Sequence, residues 1–170
     1  MKKKFLIFTA ATVAALLCLI GIAGCKPKAK TFEKAGMQIT LTSSFNEKEY
    51  IGQTVCYQSA KVIVFAVKEE FTSFDSDLTL KAYTTRVLYA NNMQFKASFE
   101  REGQEYLYFT YEKAVSGQNY YYMATTHKGP DAFWLIQFAC FTSDKDKYTE
   151  SFFKWADSVT FLTADGANET

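Results

Sequence analysis

Much of the stretch over residues 31–69 alternates between apolar and polar residues with the period of β-strands. Met37, Ile39 and Leu41 are apolar at every second position, which predicts a strand with one buried face. The alternation predicts extended segments over residues 31–35, 37–41, 54–58 and 61–69. Gly36 is the turn residue between the first two segments. The unbroken apolar run 62–67 is typical of a strand that is covered on both faces.

Two later segments have the three-and-four spacing of amphipathic helices. The first spacing predicts a helix over about residues 78–91. Its candidate N-caps are the three residues that precede it, namely Asp75, Ser76 and Asp77. The second helix is predicted to begin after a cap at Ser143 and to bury Phe152 and Trp155.

Four alternating segments between the two helices predict an antiparallel meander. They cover residues 95–101, 104–112, 118–126 and 132–141, and a final strand follows over 158–162. Both faces of this meander are largely apolar, whereas a sheet with one solvated face should be apolar on one side only. The sequence therefore predicts an α+β fold in which helices cover both faces of an antiparallel β-sheet.

The parity of the turns decides which side chains share a face of this sheet. Even loops at the first two turns and an odd loop at the last would place Tyr106, Tyr108 and Tyr121 on one face, among several polar residues. Trp134 and Phe138 would then lie on the opposite, more apolar face. Tyrosine tolerates partial exposure and is a common anchor at interfaces, so we predict that the three tyrosines line an accessible groove for a ligand or partner. The alternative is that all three are core residues with satisfied hydroxyls.

The N-terminal segment is organised as an export signal. Lys2, Lys3 and Lys4 precede a nearly unbroken apolar run over residues 5–23. The ending Ile22-Ala23-Gly24-Cys25 resembles the lipobox of bacterial lipoproteins, whose cysteine is lipidated on sulfur and becomes the new N-terminus. An uncleaved membrane anchor is the alternative, because the run is nearly long enough to span a bilayer.

This interpretation divides the chain into four parts. They are a signal peptide over 1–24, a lipidated tether over 25–30, a single folded domain over 31–163 and a flexible tail over 164–170. A domain of this size can build a core without a metal or cofactor, and we expect neither. Without the signal lysines, 16 Lys and Arg face 18 Asp and Glu, a side-chain charge of −2. The basic residues alternate with acids, which argues against nucleic acid as a partner.

Cys56 and Cys140 remain once Cys18 leaves with the signal and Cys25 is lipidated. An exported compartment permits a disulfide between them, and the alternative is two buried thiols.

Motifs for catalysis or metal binding are missing from the sequence. His127 is the only histidine, and its position beside Gly129-Pro130 predicts a solvated loop residue. The acidic segments at 75–77 and 144–146 lack the Gly and Glu that a calcium loop requires. Phosphate-binding loops and the nucleophile elbow are absent as well. Two carboxylates distant in sequence can still meet in space, which leaves a hydrolase open.

The order of elements resembles the PsbP-like fold, a superfamily that includes the Ran-binding Mog-type proteins. The resemblance is carried by residues 36–41 with Phe45 behind them, the strand 133–138, the helix that ends at Trp155 and the closing strand 158–161. It implies an α/β/α sandwich and a protein-binding or accessory module rather than an enzyme. Small lipoproteins of this type in Gram-positive bacteria are similar.

Together these features predict a lipoprotein on the extracytoplasmic face of the cell membrane that acts as a non-enzymatic binding or accessory module. Its partner is an unknown protein or small ligand. The alternatives are a carrier of a small apolar ligand, suggested by the aromatic fraction of 17%, and a hydrolase with paired carboxylates.

Overall fold

The computed structural model describes residues 27–74 and 77–163, which form two antiparallel sheets and two α-helices. The strands are β1 (Ala29–Lys34), β2 (Met37–Thr42), β3 (Asn46–Glu47), β4 (Val55–Gln58), β5 (Val62–Glu70), β6 (Phe99–Glu100), β7 (Tyr106–Val115), β8 (Gln118–Lys128), β9 (Ala132–Phe141) and β10 (Thr160–Phe161). The helices are α1 (Leu80–Ala90) and α2 (Lys145–Ala156). This is the mixed α+β class with antiparallel sheets that the sequence predicts. The predicted signal peptide, Cys25 and the tail 164–170 lie outside the described residues.

The small sheet has the order β1-β2-β10, and the large sheet has the order β3-β4-β5-β9-β8-β7-β6. β1 begins two residues before the predicted domain start, because Ala29 pairs with Thr42. The turn between β1 and β2 consists of Ala35 and Gly36, whose φ angles of 54° and 85° are those of a tight two-residue hairpin.

The register of β9 differs from the prediction. Lys128 pairs with Phe133, so four residues, 129–132, separate the last paired positions of β8 and β9, and four is an even number. His127 therefore pairs with Trp134, and Tyr121 pairs with Cys140. The predicted odd loop is wrong, and the even-numbered residues of β9 lie on the same face as Tyr121.

One face of the large sheet packs against α2 and the small sheet to form the main core. Phe152 of α2 lies 5.6 Å from Phe138 between ring centroids, and Trp155 meets Phe45 edge-on at 5.2 Å. From the small sheet, Phe32 contacts Tyr57 at 4.7 Å. The predicted buried face of β2 is confirmed, since all three of its apolar residues are buried: Met37, Ile39 and Leu41.

The opposite face of the large sheet carries α1. Tyr83 stacks on Phe133 with centroids 4.5 Å apart, and Thr84 shares a hydrogen bond of 2.6 Å with Thr126. The cap of α1 is Thr79, whose hydroxyl accepts from the backbone N–H of Ala82.

The predicted caps of both helices need correction. Asp77 lies two residues before the N-cap of α1, and Asp75 and Ser76 lie outside the described residues. Ser143 belongs to a 3₁₀ turn over Thr142–Asp144, and no side chain caps α2.

The predicted strand over 95–101 shrinks to the two residues of β6, which pair with Tyr108 and Leu107. Phe95, expected in the sheet, is 91% exposed. Among the described residues, the part of β7 beyond Tyr108 pairs only with β8. The predicted bounds of the strand over 132–141 are those of β9.

Candidate functional site

The three tyrosines of the predicted groove do not form one. Tyr106 and Tyr121 are only 3% and 4% exposed, because they lie on the face that α2 covers. Tyr121 stacks on Phe152 of α2 at 6.3 Å. Tyr108 is half-buried, with Phe153 edge-on at 5.0 Å. The predicted accessibility is wrong for Tyr106 and Tyr121, because α2 covers the face on which they lie.

An incompletely covered surface lies on the other face, beside α1. We call it the open aromatic face and define it by six half-buried side chains: Ile63, Phe65, Tyr111, Tyr120, Tyr122 and Phe141. Strand pairing aligns these side chains across the sheet. Ile63 of β5 pairs with Ala139 of β9, Ala139 pairs with Tyr122 of β8, and Tyr122 pairs with Tyr111 of β7. α1 packs on the remaining part of this face, over Phe109, Ala124 and Phe133.

The aromatic rings of this surface hold one another in place. Tyr111 and Tyr122 are stacked with centroids 4.7 Å apart and an angle of 1° between planes. Tyr120 lies 5.0 Å from Phe141, and the Tyr111 hydroxyl donates to Oε1 of Gln137. Burial raises the pKa values of the Tyr111 and Tyr122 hydroxyls, so both stay protonated and uncharged at neutral pH.

The rim of the open aromatic face is polar and partly basic. Phe141 and Tyr120 are neighbours in one row of side chains across the sheet. Lys113, which pairs with Tyr120, lies at one end of this row, and Lys61, which directly precedes β5, lies at the other end. Both lysines are exposed. Tyr50, which is exposed, packs its ring against Phe65 at 6.1 Å. The sequence contained the signal for this surface, an apolar pattern on both sides of the sheet, but gave no indication of which half a helix would leave uncovered.

A charged network joins β7 to the end of α2. Arg101 donates to both carboxylate oxygens of Asp157, at 3.3 and 3.0 Å, and the Tyr106 hydroxyl donates to the same carboxylate at 2.6 Å. Partial burial raises the pKa of Asp157, but the hydrogen bonds and the charge of Arg101 outweigh it and hold that pKa below its usual value. Arg101 also lies over the ring of Phe153, 4.5 Å from its centroid. This arrangement fixes the connection before β7 against α2.

His127 is not the solvated loop residue that the sequence suggests. β8 continues to Lys128, so His127 is a strand residue on the main-core face, and it is 6% exposed. Nε2 is 2.9 Å from the Thr125 hydroxyl. Burial lowers the pKa of His127 to about 3, so the imidazole is neutral at physiological pH.

Cys56 and Cys140 are free, buried thiols. Cys140 pairs with Val62 and Cys56 pairs with Phe65, and these two residues of β5 are an odd number of positions apart. The thiols therefore lie on opposite faces of the large sheet, which explains why they do not form the disulfide left open by the sequence. Burial raises the pKa of Cys140 to about 11.

Three exposed glutamates line a cleft of about 760 Å³ near the start of α1: Glu100, Glu102 and Glu105. Lys81 and Arg101 line the same cleft. General acids of hydrolases are usually desolvated, whereas these carboxylates lie in water. The cleft therefore does not favour the hydrolase alternative.

No group of three or more His, Cys, Asp and Glu side chains within residues 27–74 and 77–163 is arranged to hold a metal ion. In the same part of the chain, no helix is both long and apolar enough to cross a bilayer.

Comparison with known proteins gives structural likeness without sequence likeness. No model of a known family matches the chain, and no curated protein matches it. The solution structure of PsbP from the cyanobacterium Synechocystis is similar with a TM-score of 0.59 at 12% identity, over 82% of this chain and 96% of that one. The Ran-binding protein Mog1p of Saccharomyces cerevisiae gives 0.54 at 8% identity, over 81% and 97%. A Bacteroides thetaiotaomicron structure gives 0.53 at 12% identity, over 81% of this chain and 49% of that one. The chain therefore has the fold of PsbP and Mog1p.

Proposed function

We propose that this chain is an extracytoplasmic lipoprotein, anchored through Cys25, whose domain binds another protein through the open aromatic face. The observation that carries the binding role is the set of half-exposed aromatic rings that α1 leaves uncovered beside it. The domain acts as an accessory or adaptor module, and the chemistry of any reaction belongs to its partner.

Several physical features make the open aromatic face suitable for a protein partner. Tyrosine and phenylalanine are enriched at the centres of interfaces because they bury a large area with little loss of conformational freedom. The rings of Tyr111 and Tyr122 are already stacked, so binding orders few side chains. Tyr122 projects from β8, an inner strand that pairs with both β7 and β9, which gives the surface a rigid support.

The charge of the rim indicates the chemistry of the partner. Lys61 and Lys113 are exposed at the two ends of the row that contains Phe141 and Tyr120. A partner with an apolar centre and acidic residues at the matching edges would be attracted by both lysines. The occupant that we propose is therefore a folded protein with an acidic rim.

The PsbP-like α/β/α arrangement supports the proposal at the level of architecture. In this proposal α1 and α2 are the two outer layers, each on its own face of the large sheet. Mog1p is described as a Ran-binding protein, so another protein with this fold binds a protein partner. The sequence relation is too distant to carry over the position of that interface.

Anchoring through Cys25 would hold the domain close to the bilayer. Only residues 26–28 separate Cys25 from the start of β1, a reach of about 10 Å when extended. A single acyl chain binds membranes marginally, whereas two or more hold firmly. Replacing Cys25 by Ala should release the protein from membranes and abolish lipid labelling. A variant that still fractionates with membranes and takes up lipid label would contradict the anchor.

Site-specific cross-linking in cells tests the partner surface. A photoreactive phenylalanine analogue at Phe65 should give an adduct of one defined mass, and the same analogue at Tyr89, an exposed residue of α1, should not. Adding Tyr122→Lys should abolish the adduct from position 65, because the charge disrupts the apolar contact. The proposal fails if positions 65 and 89 give the same adducts, or if Tyr122→Lys leaves the adduct unchanged.

A further inference from the structure

The outer side of β7 is open beyond the short strand β6. β6 pairs only with Leu107 and Tyr108. On that side, residues 109–115 pair with no strand of the part of the chain that the structure describes. Residues 112–115 are all exposed. The open stretch is long enough to accept an ordinary β-strand of about five or six residues.

The backbone groups that face this opening belong to the even-numbered residues of β7. The N–H of Arg101 donates to the carbonyl of Tyr106 at 3.4 Å, so the backbone of Tyr106 points away from β8. Backbone groups alternate between the two sides of a strand, and β7 pairs with β8 in one unbroken register. The N–H and C=O groups of Thr110, Glu112 and Ala114 therefore also point away from β8, where no described strand pairs with them.

The side chains along the opening differ between the two faces of the sheet. Tyr111 and Lys113 share the open aromatic face. Lys113 is exposed and has no ion-pair partner among residues 27–74 and 77–163. On the other face, Glu112 already lies 3.8 Å from Lys145. An added strand would therefore meet an aromatic ring and an unneutralised positive charge, two positions apart, on the open aromatic face.

We propose that the partner adds an extended segment to β7 as an antiparallel strand, with an apolar residue opposite Tyr111 and an acidic residue opposite Lys113. This inference names the binding mode of the open aromatic face and rests on the function proposed for it. Hydrogen bonds to the outward backbone groups supply affinity, and the two side-chain pairs supply specificity. The backbones of Tyr111 and Lys113 point towards β8, so both residues form the closer, non-hydrogen-bonded kind of pair with the added strand.

A second copy of this chain fits the opening less well than a different protein. If two copies related by a twofold axis pair over the whole stretch 109–115, the axis passes Glu112, the central residue. The two Glu112 side chains then lie directly opposite each other, and like charges in that position are destabilising. The segment that we propose is therefore supplied by another protein.

Two synthetic peptides, TTETFTV and TTKTFTV, test the strand and its acidic position. Paired antiparallel with residues 109–115, the first places its glutamate opposite Lys113 and its phenylalanine opposite Tyr111. Titration of the purified full-length ¹⁵N-labelled protein should shift the amides of residues 109–115. The glutamate peptide should bind about fivefold more tightly, the usual range for a cross-strand charge pair, and Lys113→Glu should reverse the preference. Equal affinities, shifts elsewhere in the domain, or no binding of either peptide would overturn the proposal.

Hydrogen exchange gives a second readout that needs no variant. In the free protein, the outward amides of Glu112 and Ala114 should exchange rapidly, and the amides of Tyr111 and Lys113, which point towards β8, should exchange slowly. The glutamate peptide should slow exchange at Glu112 and Ala114 only. Equal slowing at all four amides would contradict an added strand, because it would show a general stabilisation of the domain.

The variant Ala114→Pro removes one outward N–H, and proline is tolerated where a strand's N–H faces solvent. It should weaken binding of the glutamate peptide about fivefold, the usual effect of one hydrogen bond. The matched control Ala114→Ser keeps the N–H and should bind as the wild type does. Equal binding by the two variants would overturn the proposal.

The cross-linking experiment in cells separates this proposal from the function on which it rests. Ala114→Pro should reduce the adduct formed from position 65. If it leaves that adduct unchanged while Tyr122→Lys abolishes it, strand addition is wrong and the binding role of the open aromatic face stands. If Tyr122→Lys also leaves the adduct unchanged, the proposed function itself fails.

Discussion

The hydroxyl of Tyr106 donates a hydrogen bond to Oδ1 of Asp157 across 2.6 Å, and so joins the start of β7 to the residue that follows α2. Arg101 completes the contact by donating to both oxygens of the same carboxylate. The two residues are 51 positions apart in sequence. A long-range contact of this kind keeps the helix over the main core.

Asp157→Asn should reduce the free energy of unfolding by about 1–2 kcal/mol, because it removes the charge from a partly exposed, charge-assisted network. The folded-state pKa of Asp157 is lowered, so the contribution is present above its ordinary pKa of 3.8 and disappears as the pH falls through the folded value. Urea denaturation at pH 7 measures the change. Glu150→Gln, on the exposed surface of α2, is the matched control. Equal losses in the two variants would contradict the role of the network.

His127 should make the stability of the domain depend on pH below about 6.5. Its folded pKa of about 3 lies below the ordinary value of 6.5, so between these values the unfolded chain binds a proton that the folded chain does not. Stability is therefore retained above pH 6.5 and falls on acidification by up to about 1.4 kcal/mol per pH unit.

Urea denaturation of the wild type and of His127→Phe at pH 7.5, 6, 5 and 4 (~1-unit steps through the titration range) isolates this contribution. The difference in stability between the two proteins should move in favour of the variant as the pH falls. A difference that stays constant across the series would show that His127 is accessible to protons in the folded state.

Thr84 and Thr126 should respond unequally to replacement by valine. The Thr84 hydroxyl donates to the backbone carbonyl of Leu80 at 2.8 Å, so Thr126 must be the donor in the bond between the two threonines. Thr84→Val leaves the Thr126 hydroxyl buried without an acceptor, which costs about 1–3 kcal/mol. Thr126→Val leaves Thr84 bonded to Leu80 and should cost less.

The double variant Thr84→Val/Thr126→Val should be less destabilised than the sum of the single variants, because it leaves no orphaned hydroxyl. Thermal unfolding of all four proteins completes the cycle. Equal single effects that add would show that the assigned direction of the hydrogen bond is wrong.

Thr79→Ala should destabilise α1 by about 1 kcal/mol, because the Thr79 hydroxyl accepts from the N–H of Ala82 at the first turn. Asp77→Ala is the control, since Asp77 is exposed and lies outside the helix. Circular dichroism during urea denaturation measures both. A larger effect at Asp77 than at Thr79 would restore the sequence-based assignment of the cap.

Local signals in the sequence were sufficient wherever a short stretch determines its own structure. The alternation at Met37, Ile39 and Leu41 predicted the buried face of β2. The two segments predicted over 104–112 and 118–126 form a hairpin that turns at Ser116 and Gly117, and both residues have the positive φ angles that such a turn requires, 50° and 78°.

Properties that depend on distant partners could not be predicted in the same way. The loop near Gly129-Pro130 was predicted to be odd, whereas four residues separate the paired residues Lys128 and Phe133, and this change of parity reverses the face of every residue in β9. His127 was assigned to the loop for the same reason. Apolar alternation shows that a face is suitable for burial, but it does not show which element covers it. For this reason the sequence predicted neither that α2 covers Tyr106 and Tyr121 nor that the open aromatic face stays uncovered.

Within residues 27–74 and 77–163, the short β6 leaves most of β7 as a free edge of the large sheet. Such an edge presents unpaired backbone groups to any other extended chain, and charged residues on it are a common protection against aggregation. Glu112 and Lys113 lie on this edge and carry opposite charges, and Glu112 is 3.8 Å from Lys145. The solubility of the concentrated protein therefore depends on side chains that contribute little to its core, and replacing Glu112 by an uncharged residue would favour edge-to-edge assembly.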